Sequence, residues 1–155
     1  MKRAAGLTLI ELMVVIAIAA IAMTSLAVRG FASNTGDRSL ARLRLLLATA
    51  AERAEVGGAA IAVDFEPGGY RFLRMDARGQ WLPPTGESAL AEPRLEPDLH
   101  WRGLEIGGVA VPLRLVFAGQ MPDFVLRVAT ATAEVKLVGR PNGSVVLLTA
   151  AEATP

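Results

Sequence analysis

Apolar residues crowd the start of the chain and then thin into two regular patterns. From Leu7 to Val28, Thr8, Glu11, Thr24 and Ser25 are the only polar interruptions. Leu12 to Met23 has none. A helix over Leu7–Val28 would be roughly 33 Å long at about 1.5 Å per residue. A hydrocarbon core is about 30 Å thick, so this segment is long enough to cross one with slight tilt. Apolar side chains lie on every side of it, which suits lipid or a helix bundle rather than a half-wet surface. Ala17, Ala19, Ala20 and Ala22 permit close approach of a neighbouring helix.

The pattern then changes period. Leu40, Leu43, Leu47, Ala50 and Ala54 recur at helical spacing, with Arg42, Arg44, Glu52 and Arg53 on other faces. This predicts an amphipathic helix to about Val56, ended by Gly57-Gly58. Between the two helical patterns lies RGFASNTG (Arg29–Gly36), with two glycines and a Ser-Asn-Thr cluster. It predicts a weakened or kinked joint, with a fresh N-cap at Asn34 or Thr35.

All nine prolines fall from Pro67 onward, and there the period shortens to that of strands. Ile61, Val63 and Phe65 alternate, Pro67-Gly68-Gly69 turns the chain, and Tyr70–Met75 returns as a hairpin partner. Trp81 to Pro97 reads as a loop with one extended piece around Leu90. Further strands are expected at Leu99–Ile106, Val109–Phe117, Phe124–Ala129, Ala133–Val138 and Ser144–Thr149, with Asn142-Gly143 as a tight turn. The fold class is therefore α+β: a long N-terminal helix, half apolar and half amphipathic, packed on an antiparallel sheet or two packed sheets. The expected organisation is a short basic segment at 1–6, an apolar helix at 7–28 and one globular domain at 29–155. The tail from Ala150 to Pro155 is expected to fray.

Composition narrows the chemistry. With no cysteine there are no disulfides, thiol nucleophiles or cysteine-bound metals. A lone histidine, His100, excludes paired-histidine metal motifs. Lys plus Arg is 16 and Asp plus Glu 15, so bulk charge does not drive polyanion binding. Carboxylates are scattered without acid/base spacing, Asp64, Glu66 and Asp76 form no calcium-loop series, and the Gly-Gly pairs lack the setting of a phosphate loop. Arg71, Arg74 and Arg78 read as a solvated hairpin face, and Tyr70, Trp81 and Trp101 as core or interface anchors. No enzyme activity, metal or cofactor is expected.

Glu11 needs an explanation, because an unpaired carboxylate inside an apolar run is costly. It either lies near the interface, where it snorkels or protonates, or it has a partner. Cleavage after Gly6 would create a free ammonium on Leu7, with Glu11 one turn away. Glu11 would then complement its own helix N-terminus or receive the Leu7 amine of a neighbouring subunit, setting an axial stagger. Lys2 and Arg3 precede the run and favour a cytoplasmic N-terminus. Arg29, Arg38, Arg42 and Arg44 follow it, diluted by Asp37 and Glu52.

The stretch Gly6-Leu7-Thr8-Leu9-Ile10-Glu11-Leu12, behind a short basic leader, resembles the class III signal of type IV pilins and type II secretion pseudopilins. Those usually carry Phe where this chain has Leu7. The resemblance implies that prepilin peptidase cuts between Gly6 and Leu7 and methylates Leu7, with Glu11 acting in assembly. The Trp-Leu-Pro loop, Phe117–Phe124 and the terminal Asn-Gly-Ser hairpin look like H-type (GspH) minor pseudopilins and FimT-like minor pilins. This implies a single-pass inner-membrane protein with a periplasmic domain, placed near the tip of a fibre that helps export folded proteins. Its implied partners are other minor pseudopilins, the major pseudopilin, prepilin peptidase, the inner-membrane secretion platform and membrane lipid. Two alternatives stand beside it. One is a FimT-like type IV minor pilin, in pilus assembly or DNA uptake, for which DNA is a partner. The other is a binding module or enzyme merely tethered by its N-terminal helix.

Overall fold

A computed structural model describes residues 9–85 and 89–149, with the side chains of part of the first helix left undescribed. One helix, α1 (Leu9–Gly57), leads into ten short strands. The expected joint at Arg29–Gly36 does not break the helix, because α1 runs through it without interruption and no new helix starts at Asn34 or Thr35. The segment contains no proline, so every peptide keeps its N–H for the helical ladder, and glycine weakens a helix by only about 1 kcal/mol. Gly36 is a seat rather than a hinge: it is buried, and a Cβ added there would lie 3.6 Å from Thr130 Cβ. Gly57-Gly58 ends the helix as expected, with Gly58 in the left-handed region.

The first sheet contains β1 (Ile61–Glu66) and β2 (Gly69–Met75), the expected hairpin, with β7 (Arg114–Phe117) on the other side of β1. Two very short strands, β3 (Trp81–Leu82) and β4 (Arg94–Leu95), pair with opposite ends of β2. The second sheet runs β10-β9-β8-β5-β6, from β5 (His100–Ile106), β6 (Val109–Val111), β8 (Phe124–Ala129), β9 (Glu134–Gly139) and β10 (Val145–Thr149). All pairings are antiparallel.

Two expectations need correction. The strand expected at Val109–Phe117 is two strands in different sheets. Pro112 supplies no ladder N–H, and the Arg114 N–H closes back on the Pro112 carbonyl at 2.6 Å, so the chain turns from one sheet to the other there. The extended piece expected at Leu90 lies instead at Arg94–Leu95, and Leu90 sits in a turn, fully buried. Gly69 is what admits β4, since a Cβ there would fall 2.1 Å from the Arg94 carbonyl oxygen.

The core is one cluster spanning helix and both sheets. Leu40, Leu43, Leu47, Ala50 and Ala54 of α1 are all at most 2% exposed and meet Val63, Phe72, Leu115 and Phe117 of the first sheet. Leu126, Leu137 and Phe124 bring in the second sheet. Trp101 of β5 ties the sheets together. Its indole N–H donates to the Glu66 and Gly69 carbonyls at 2.7 and 3.0 Å, and its ring lies 4.9 Å from that of Phe65. A type I turn with Gly143 in the left-handed position joins β9 to β10, closed by Gly143 N–H to Arg140 carbonyl at 3.0 Å.

Candidate functional site

The first described buried residue of α1 is Gly36, and from there on the helix packs on the globular part of the chain. The 27 residues from Leu9 to Thr35 run about 40 Å along the helix ahead of that point. In this part of the helix Ile10, Met13, Val14, Val15 and Ile18 are between 52% and 72% exposed. At 3.6 residues per turn these five positions span more than half the helix circumference. An uncovered apolar surface of this kind marks a contact with lipid or with other chains. Among the described residues no helix is long and apolar enough to cross a membrane. The run Leu12–Met23 falls where many side chains of α1 lie outside the description.

Gly6 and Leu7 lie outside the described residues. Glu11 lies within α1, but its side chain is outside the description, so its suggested pairing with an amine is not visible.

The domain holds its half of α1 with a polar clamp as well as with leucines. Ser39 Oγ donates to Glu96 Oε2 at 2.5 Å, and Arg42 Nη1 stands 3.9 Å from Glu96 Oε1. Both Ser39 and Glu96 are buried. The Glu96 N–H in turn donates to the Gly68 carbonyl at 2.8 Å, joining the clamp to the β1–β2 turn. Tyr70 lies in the same region, with a buried hydroxyl that has no hydrogen-bond partner among the described residues. Burial, with the Glu96 carboxylate adding to it and Arg94 and Arg42 opposing, pushes its pKa up to about 12. The phenol is therefore a neutral core group at physiological pH.

A second buried carboxylate, Asp64 of β1, receives both Nε and Nη2 of Arg114 from β7, at 2.5 and 2.7 Å. Arg71 of β2 stands 3.8 Å away on the other side and bonds Glu66 at 2.7 Å. The hydrogen bond to Asp64, and then its charge, holds the Arg114 guanidinium above its ordinary pKa. These ions lie directly across neighbouring strands, where opposite charges lock the register. The partners of both buried carboxylates lie far from them in the sequence. Only strand pairing brings Asp64 and Arg114 together across 50 residues, and no local spacing encodes it. His100 is exposed on β5, away from these groups. Among the described residues no cluster of His, Asp and Glu could hold a metal ion.

One long helix, apolar toward its N-terminus, with two antiparallel sheets packed on its C-terminal half is the architecture that these elements define. Residues 1–27 match the prokaryotic N-terminal methylation motif. Two solved structures of the minor pseudopilin EpsH, from the type II secretion system of Vibrio cholerae, share the fold. One is 18% identical, covering 75% of this chain and 94% of its own, with a TM-score of 0.59. The other is 16% identical, covering 78% and 99%, with a TM-score of 0.60. No curated protein sequence matches the chain. The chain thus carries a prepilin-type methylation motif on a pseudopilin fold of the H type.

Proposed function

We propose that this chain is a minor pseudopilin of a type II secretion system, doing structural rather than catalytic work near the tip of a periplasmic fibre. The single observation that carries the reading is the row of exposed apolar residues on α1, Ile10 to Ile18, inside the stretch that matches the methylation motif. In this reading prepilin peptidase cuts between Gly6 and Leu7 and methylates the new amine. The run Leu12–Met23 holds the precursor in the inner membrane, with the N-terminus cytoplasmic and the domain periplasmic. Assembly exchanges lipid around that helix for the helices of other pseudopilins, at little net hydrophobic cost. Glu11 enters the bundle by receiving the Leu7 amine of a neighbour, which converts an expensive lone carboxylate into a paired one and fixes the stagger.

The test is the mass of the mature N-terminus in cells with and without prepilin peptidase. N-methylated Leu7 is expected in the first and intact Met1–Gly6 in the second. A leader retained in both would overturn the proposal in favour of a simple tether. Glu11→Ala should leave cleavage intact while reducing recovery in cross-linked fibres; undiminished recovery would remove the register role. Loss of exoprotein secretion on deletion supports this reading, and loss of DNA uptake with secretion intact would replace it by the type IV minor pilin.

A further inference from the structure

The outer face of the second sheet has a charge arrangement that the subunit alone does not balance. Buried Leu126, Leu137 and Val145 alternate along β8, β9 and β10 with residues pointing the other way. Those outward residues form two rows. Val125, Val138 and Val146 stand side by side across β8, β9 and β10, with Glu105 of β5 beyond Val125. Beside them, Arg127, Lys136 and Leu148 form the second row. All three valines, Leu148 and both cations are half-buried.

Arg127 and Lys136 are therefore directly opposed like charges on adjacent strands, a destabilising pair. Glu105 answers Arg127, with a 2.5 Å bond from Nη2 to Oε1. Lys136 has no ion-pair or hydrogen-bond partner among the described residues. A half-buried, unanswered lysine facing another cation, with four aliphatic side chains around it, is a poor arrangement for the free subunit. It is complementary to an apolar surface that carries a carboxylate.

We propose that this face docks the globular domain of another pilin-fold subunit, which presents an Asp or Glu to Lys136 and an apolar strip to the Val125–Val138–Val146 row. Naming the partner as a subunit rests on the assembly reading above; the demand for a carboxylate does not. A protein fits better than nucleic acid, because the two rows offer aliphatic side chains and no aromatic ring for a base to stack on. Burying the ion pair within the interface gives Lys136 the counter-charge that its own sheet withholds.

The experiment places a photo-cross-linking amino acid at Val138 of the full chain in its own cells and maps the adduct by mass spectrometry. The expected adduct is a peptide of another pilin-fold subunit with an acidic residue inside an apolar stretch. Lys136→Glu should lower its yield at least about tenfold, whereas Lys136→Arg should hold it within about twofold. Changing the mapped partner carboxylate to lysine should restore the yield with Lys136→Glu. Because Lys136→Glu also places an acid opposite Arg127, the purified full-length variant should melt at or above the wild-type temperature. Lost docking with undiminished stability is a combination that misfolding cannot produce. Equal yield from Lys136→Glu, a lower melting temperature, no adduct, or adducts only to lipid or nucleic acid would each overturn the proposal. The N-terminal mass from the same cells keeps the two readings apart. A retained leader with a Lys136-dependent adduct to an acidic protein would defeat the fibre reading alone.

Discussion

The two halves of α1 belong to one continuous helix and live in different worlds. In the C-terminal half Leu40, Leu43 and Leu47 are at most 1% exposed, held against two sheets and pinned by Ser39 to Glu96. In the N-terminal half Ile10, Met13 and Ile18 are at least 63% exposed. Equally apolar residues therefore do different work. On one half they are spent within the subunit as folding energy; on the other they remain available for lipid or for other chains. Between the halves the helix is continuous.

The largest effect expected on the fold is at the buried half. Leu47→Ala should lower the unfolding free energy by about 3 kcal/mol through a cavity in the cluster, as read by denaturant titration of the full chain in detergent. A loss below about 1 kcal/mol would mean that the helix is not gripped as described.

Next comes the ion lattice of the first sheet. Arg114→Ala leaves Asp64 buried with only the more distant Arg71, and should cost about 1–2 kcal/mol, the lower part of the range because Arg114 is half-exposed. Lys in place of Arg114 should recover only part of this, since it lacks the two-pronged geometry.

A smaller and opposite effect is expected at Tyr70. Tyr70→Phe removes an unpartnered buried hydroxyl, so stability at neutral pH should stay equal or rise by up to about 1 kcal/mol. The pH dependence has a definite sign. The folded pKa of about 12 lies above the unfolded value of 10.0, so between them the native state holds the proton more tightly. Stability is then full below pH 10 and falls as pH rises toward 12. The phenylalanine variant should lose about 2 kcal/mol less than wild type over that window, measured as the difference between their two profiles. Parallel profiles would refute the assignment.

The smallest effect on the fold should come from the exposed residues near the start of α1. Ile18→Ser should change the domain's unfolding free energy by less than about 0.5 kcal/mol, yet reduce recovery in cross-linked fibres severalfold. Equal effects on stability from Ile18→Ser and Leu47→Ala would erase the distinction between the halves.

Most of the local structure could be read from residue order because it rests on short-range physics. The leucine stripe at helical spacing, the Pro67-Gly68-Gly69 turn and the Asn142-Gly143 turn each announce themselves within a few residues. Phe124–Ala129 was expected at the boundaries where β8 lies. The errors also have local causes. Arg29–Gly36 looks like a joint by composition, but two glycines in a proline-free helix cost less than the continuity of the ladder returns. Val109–Phe117 looks like one strand by hydropathy, although Pro112 divides it between two sheets.

Residue order alone determined the long helix, the β-rich half, and the place of one acidic side chain in an apolar run behind a short basic segment, because periodicity and local motifs act over a turn or two. Tertiary structure alone decided which apolar residues are consumed by the core, which carboxylate answers which arginine, and that Lys136 faces Arg127. Those facts depend on strand register and sheet order, and register is set by long-range pairing that no window of sequence contains.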